Sequence, residues 1–456
     1  MKTSTFALST LTFCLGLSFS AHADTAINRS AWVVDKLYNY NHPFAAQRPD
    51  ELTTKMQKMQ ASPFIFYRGT AHLFYEDMKT WTPTAYTNFA SRSTWLSGDM
   101  HMANMGAFKD ASGNTVFDTT DFDEGYWGNY AWDVRRMAVS IVLAAKENGL
   151  SAANQQQLVI DFVDAYLNKM VDFQGANDEL NYRLISSNTS GVVQDLIKKS
   201  ASQTRAQLLS KNTTTSSGAR KFLVNSELVK LSVSDYAAIE TAVANYVYTI
   251  APSKRYASSF YVVKDIRLKL GSGVGSLGRH RYYVLIQGAT SSAADDIILQ
   301  VKQQSPSTVS IAAQGALPAW SYENHEGQRA ARSMKAALSN TDVLTGWTSV
   351  NGAPYLVREK SPFEADTDTT LLNSYSKFST AVQFMGKVLA KNHAMADKDY
   401  DATLISYSMD KEINDAVISK SGFKTETANF AMQYAQQVQL DWTAMVSAAK
   451  ANAKLY

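Results

Sequence analysis

Residues 98–104 read GDMHMAN, and residues 116–125 read VFDTTDFDEG. Asp99 and Asn104 stand five apart after a short apolar lead-in, and the second stretch is an apolar run that ends in Asp121-Phe122-Asp123. Asp133 follows twelve residues after Asp121, inside GNYAWDVRR at the start of a strongly apolar segment. Aspartate and asparagine are ordinary turn and cap residues, so any one of them alone carries little information. Three such elements at these intervals carry more.

The D-x-x-x-x-N spacing is that of a kinase-like catalytic loop and occurs as GDxHxxN in aminoglycoside and choline kinases. Phosphoryl transfer needs an aspartate that orients a hydroxyl and accepts its proton, and an asparagine carbonyl that holds a magnesium ion on the donor phosphates. Asp99 is therefore the expected base, with His101 beside it holding the loop by hydrogen bonds. Asn104 and Asp121, with Asp123 next to them, are the expected Mg²⁺ ligands, and Asp133 is expected to brace the loop. Arg68, in FYRGT, either binds a phosphate or acidic group or pairs with a carboxylate such as Asp77.

A nucleotide half should add a glycine-rich loop between two strands, a strand lysine and a helix glutamate. Gly273, Gly275 and Gly278 form a G-x-G-x-x-G with Ser276 inside it. Alone that match is weak, and a flexible hairpin explains it as well. A dinucleotide fold would place a helix after the glycines, whereas RYYVLIQG reads as a strand. The next strand, DIILQVKQ, ends with Lys302, expected to grip phosphates, and Glu326, with Glu323 as rival, is its expected partner. The resulting order is inverted for a kinase, because the catalytic loop precedes the glycine loop. A circular permutation just before the catalytic loop accounts for it, and it predicts that the helix over 376–395 ends near residues 90–99.

At 45% hydrophobic and 19% charged residues the composition is that of a globular protein. Helical periodicity marks 131–148, stopped at Gly149, then 153–174, 325–339, 376–395 and 424–448. Strand patterns occupy the region from 256 onward. The Ser/Thr-rich stretch 200–220 reads as a loop. The fold class expected is α+β: a two-lobed protein-kinase-like fold, circularly permuted, with a helical catalytic lobe at 24–250, a smaller antiparallel-sheet lobe at 251–362, and helices at 363–456 completing the first lobe. Residues 1–23 read as a Sec-type signal peptide with an Ala21-His22-Ala23 cleavage site, which predicts a periplasmic or secreted protein. The single cysteine, Cys14, lies within it, so the mature chain would have neither disulfide nor thiol nucleophile. A net charge of +3 without basic clusters gives no case for nucleic-acid binding, and no later run is apolar enough to span a membrane.

The segments SPFIFYRGTAHLFYEDM, GDMHMANMGAF, VFDTTDFDEGYWGNYAWDVRRMAVSIVLAA, GSGVGSLGRHRYYVLIQG and ILQVKQQS together resemble the bacterial family called domain of unknown function 2252, over nearly the whole mature chain. The family name implies no activity. The chain departs from the family pattern around 323–347, where RSMK stands in place of an expected glycine-glutamine-arginine motif. The function expected from the residues is an exported phosphotransferase using ATP and Mg²⁺ on an unknown small-molecule or protein acceptor. Alternatives are a degenerate kinase-like scaffold, a nucleotidyltransferase, and a metal-dependent phosphoesterase, although the last lacks the further metal histidines it would need.

Overall fold

The periodic apolar segments fold as helices close to their expected bounds. In the computed structural model residues 26–216, 218–271 and 273–456 are described, and the segment read as a signal peptide lies outside them. The helix Tyr130–Glu147 is capped by the Asn129 side chain, which accepts from Ala131 N at 3.0 Å, and it ends two residues before Gly149, whose φ is +77°. Beside it lie Ala152–Phe173, Tyr375–Met395 and Lys420–Lys450. Leu158, Phe162, Tyr166 and Met170 recur at four-residue intervals and are fully buried in this bundle. Burial of such side chains stabilises by about 1.5–3 kcal/mol each. Gly386 lets two of the helices cross closely, since a Cβ there would lie 2.4 Å from Phe162 O.

A second core forms around a six-stranded antiparallel sheet in the spatial order Gly346–Val350, Ala353–Glu359, Ile297–Gln303, Arg281–Ile286, Val263–Lys269, Leu228–Val229. Alternation along the strands divides its faces. Val284, Ile286, Leu299, Val301 and Val357 are buried with Ile239, Val243 and Tyr246 of the helix Val233–Tyr246. On the other face Lys302 stands opposite Arg281 on one neighbouring strand, and Gln300 stands opposite Arg358 on the other. The architecture is thus α+β with antiparallel sheets. No described helix is long and apolar enough to cross a membrane.

Two expectations need correction. The sheet core reaches back to Leu228 and the helix Val233–Tyr246, upstream of the boundary at 251, because that helix buries its apolar stripe against the sheet. Most of the stretch 200–220 also forms regular structure, at residues 205–216 and from 219 on. Thr204 and Gln207 form a capping box for the helix Arg205–Asn212, and Thr213–Ser216 pairs with Ala219–Phe222. Its Ser/Thr-rich composition concealed Leu209, which is buried together with Phe222, just past its end, against Tyr283, Leu285 and Ile298 of the sheet.

Candidate functional site

Residues 98–104 and 116–125 converge on one cleft of about 310 Å³ between the helical and sheet cores. Asp99, His101, Asn104, Asp121 and Asp123 line it from one side, and Gly273, Gly275, Ser276, Lys302 and Arg68 also contribute to its wall.

The loop 97–104 is held by its backbone. Asp133, fully buried in the first turn of Tyr130–Glu147, accepts from Ser97 N at 2.8 Å and Gly98 N at 3.0 Å. Tyr75 Oη donates to Gly98 O at 2.6 Å, and Met102 N donates to Ser140 Oγ at 3.0 Å. His393 Nε2 stands 3.5 Å from the Asp133 carboxylate, and Thr94 Oγ1 donates to Ala396 O at 3.2 Å. The end of the helix Tyr375–Met395 therefore meets the strand Thr94–Leu96 that leads into the loop. Gly98 has φ +78°, and a Cβ would lie 2.0 Å from Glu124 O. Gly98→Ala is expected to cost at least about 1–3 kcal/mol from its left-handed backbone alone, measurable by urea denaturation, with the clash against Glu124 adding to it.

Asp99 receives Arg136 Nε at 2.7 Å, and that guanidinium is itself fully buried. Burial pushes the Asp99 carboxyl up to about 6, with Glu124 and Asp121 adding to the rise and Arg136 opposing it. His101 Nε2 is 3.7 Å from Asp99 Oδ2. Burial, together with Arg68 and Arg136, holds His101 well below the usual imidazole range and so neutral. Asn104 gives its amide nitrogen to Asp99 O at 2.8 Å, which leaves the side-chain oxygen for a cation. Its main-chain carbonyl accepts from Thr120 N at 2.9 Å, fixing Asn104 next to Asp121. Arg68 does not pair with Asp77, which binds Arg29 at 2.7 Å instead; the Arg68 Nε is buried without a partner among the described residues.

Lys302 Nζ reaches Asp121 at 3.2 Å and also pairs with Asp123. Against its burial, Lys302, Arg279 and Gln304 hold the Asp123 carboxyl well below the usual range. The glycine loop joins Val263–Lys269 to Arg281–Ile286 through a short turn at Val274–Ser276, and a strand rather than an α-helix follows it, as the sequence pattern predicts.

Glu326 does not meet Lys302. It lies in the first turn of the helix Glu326–Ala337 and pairs with Arg329 one turn on. Arg329, which the sequence reading missed, is fully buried and donates to Asp123 O at 2.9 Å, Ser305 O at 3.0 Å and Gly125 O. It clamps the segment that carries the acidic residues. The expected loss of a glycine-glutamine-arginine motif is also overturned, since Gly327-Gln328-Arg329 itself opens this helix. Its signal was an arginine among small residues, in GQRAARS.

Among the described residues no group of three or more His, Cys, Asp or Glu side chains is arranged to hold a metal ion by itself. Asn104 and Asp121 offer hard oxygen donors of the kind magnesium takes when phosphates and water complete its shell. Asp123 is less suited, being committed to Lys302 and to Gln304 Nε2 at 3.0 Å.

The family model described as "Uncharacterized protein conserved in bacteria (DUF2252)" matches residues 47–448. No curated protein and no solved structure matches the chain.

Proposed function

The chain belongs to the DUF2252 family, and we propose that it is a magnesium-dependent phosphotransferase of two-lobed, kinase-like build in circularly permuted order, passing a phosphoryl group from a phosphoanhydride donor such as ATP to a hydroxyl acceptor. The observation that carries this reading is Lys302, near the end of a sheet strand that follows a glycine-loop hairpin, meeting Asp121 and Asp123 in the cleft that Asp99 and Asn104 also line. Lysine and metal-binding acid on opposite walls of one cleft are the arrangement that phosphoryl transfer uses. Support for the permuted order comes from the contact of Thr94 with Ala396, which joins the last lobe segment to the strand before the catalytic loop.

Asp99 would accept the proton of the attacking hydroxyl, its carboxyl raised toward neutrality and held in place by Arg136. Lys302 would exchange its carboxylate contacts for donor phosphate oxygens, and the glycine loop would cover them with backbone N–H groups. Asn104 and Asp121 would hold Mg²⁺, whose contribution is neutralisation of charge on the donor phosphates.

Thermal unfolding of the mature chain with ATP or ADP, with and without Mg²⁺, tests the reading. A ligand at a hundredfold excess over its Kd adds about 2.7 kcal/mol of stability, a shift readily seen. Asp121→Ala is expected to lose the magnesium-dependent part of that shift. A wild-type midpoint unmoved by any phosphoanhydride would sink the proposal.

A further inference from the structure

Arg68 lines the cleft with no task in the phosphotransferase reading. The other cations of the wall are engaged one by one. Lys302 meets Asp121 and Asp123, and Arg279 stands 3.7 Å from Glu124 and donates to Tyr40 Oη at 2.9 Å. Arg281 donates to Ser276 Oγ at 3.0 Å, and Arg358 and Lys360 share Glu364. Asp99 is taken by Arg136. Asp366, exposed on the strand Ala365–Asp366, acts on Arg68 without coming within ion-pair distance. Arg68 itself makes no ion pair and no side-chain hydrogen bond among the described residues, and its Nε is buried. Its guanidinium only lies over the Phe64 ring, 5.7 Å from the ring centre. Burying such a donor without an acceptor costs free energy, and functional sites are where folds carry such costs.

Arg68 is the next-to-last residue of the helix Pro63–Gly69, whose end packs on the tip of the glycine loop. A Cβ on Gly69 would lie 2.9 Å from Val274 Cγ1, and one on Gly275 would lie 3.5 Å from Arg68 O. The Arg68 charge also reaches the catalytic loop. Burial lowers the guanidinium from its ordinary value, and Asp99 is the first carboxylate to oppose that. Burial lowers the His101 imidazole as well, with Arg68 the first charge to add to it. His101, 3% exposed and lining the same cleft, has its Nδ1 buried without a partner. Arg68 is thus packed on the loop proposed to cover the donor phosphates and within electrostatic reach of the aspartate proposed to take the acceptor's proton. A phosphoryl group in transit must lie between those two. It spreads negative charge over three oxygens, and a planar guanidinium can meet two of them at once.

We propose that Arg68 binds the donor's terminal phosphate and stabilises the charge on it during transfer. This rests on the phosphotransferase reading and gives that site a further catalytic residue. In the step, the acceptor oxygen forms a bond to the terminal phosphorus and the bridging P–O bond breaks. The bridging oxygen and its electron pair leave with the shortened donor, and the hydroxyl proton passes to Asp99. Arg68 gives up no carboxylate to do this, whereas Lys302 must release Asp121 and Asp123.

Calorimetric titration of the full chain with ATP and with ADP, each with Mg²⁺, tests this, because the two differ by the phosphate that Arg68 would hold. The wild type is expected to bind ATP at least tenfold tighter than ADP. Equal affinity for the two would overturn the proposal and does not depend on any variant folding. Arg68→Met keeps a stem over Phe64 and removes the charge. It is expected to weaken ATP at least tenfold, the scale of one lost charge-assisted hydrogen bond, to leave ADP within about twofold, and to leave the unfolding midpoint of the unliganded chain unchanged or higher, since no partner is lost. ATP and ADP weakened alike, as a structural arginine would give, or ATP left unchanged, would overturn the assignment and leave the phosphotransferase reading standing. Wild-type binding of neither nucleotide would end both.

Discussion

Asp99→Asn is expected to lower turnover of the donor by about 10²–10⁴-fold, the range spanned by general bases, while leaving donor affinity within about twofold. The asymmetry follows from geometry. Asp99 is held by Arg136 at 2.7 Å, whereas Lys302, proposed to bind the donor phosphates, stands on the sheet. Asparagine keeps the shape of the carboxylate and an oxygen for Arg136, but it cannot take a proton at neutral pH. Single-turnover phosphate release from the donor separates the two quantities, and an equal loss in binding and turnover would remove Asp99 from the role of base.

The pH dependence has a definite sign. The Asp99 carboxyl is raised by burial from its ordinary value of 3.8 to about 6. A base must be deprotonated, so kcat/KM for the wild type is expected to rise through that region and level above it, with the limb absent in Asp99→Asn. Stability moves the opposite way. An acid whose folded-state pKa is raised holds its proton more tightly when folded, so this group favours the fold at low pH, and that contribution is lost between about pH 4 and 6. Burial, with Arg68 and Arg136, holds the neighbouring His101 well below the usual imidazole range.

Much of the site was legible in the sequence because its parts are local. The loop 98–104, the acidic run at 121–123 and the glycine hairpin each announce themselves within a dozen residues, and β-branched strands around the glycines excluded a helix there. The role of Asp133 was legible for the same reason, its interval from Asp121 placing it in the first helical turn below the loop. What escaped was long-range pairing. Glu326 was assigned to Lys302 by element order, but a carboxylate in a helix's first turn lies one turn from the arginine three residues on, and Arg329 claims it. Lys302 is neutralised instead by acids 181 and 179 residues earlier in the chain, Asp121 and Asp123.

Composition misled at 200–220 because Leu209 within it and Phe222 just past its end are enough to anchor a helix and hairpin to a sheet face. The cations that the sheet brings to the cleft were equally hidden. Arg281, Lys302, Arg358 and Lys360 are spread over some eighty residues and become neighbours only through the register of three antiparallel strands.

Lys391→Met is expected to cost about 3–5 kcal/mol of stability, the range for breaking a buried ion pair by removing one partner. Lys391, 1% exposed on the helix Tyr375–Met395, donates to Asp118 Oδ2 at 2.5 Å and to Ala337 O at 2.8 Å. Methionine fills the space of the lysine stem but leaves a buried carboxylate and a buried carbonyl without their donor. The pair itself adds little net stability, because both charges were desolvated to form it: burial raises the Asp118 carboxyl and lowers the Lys391 ammonium even with each beside the other. Lys391→Met combined with Asp118→Leu should therefore recover most of the loss, and urea denaturation of the two single variants and the double variant measures the coupling. The seam also adjoins the candidate site. Asn392 Nδ2 donates to Thr119 Oγ1 at 2.7 Å beside this pair, and the strand Thr115–Thr119 leads directly to Asp121. A double variant that regains stability while its magnesium-dependent ligand shift stays reduced would show that the ion pair positions Asp121. Recovery of both would reduce the pair to a structural contact.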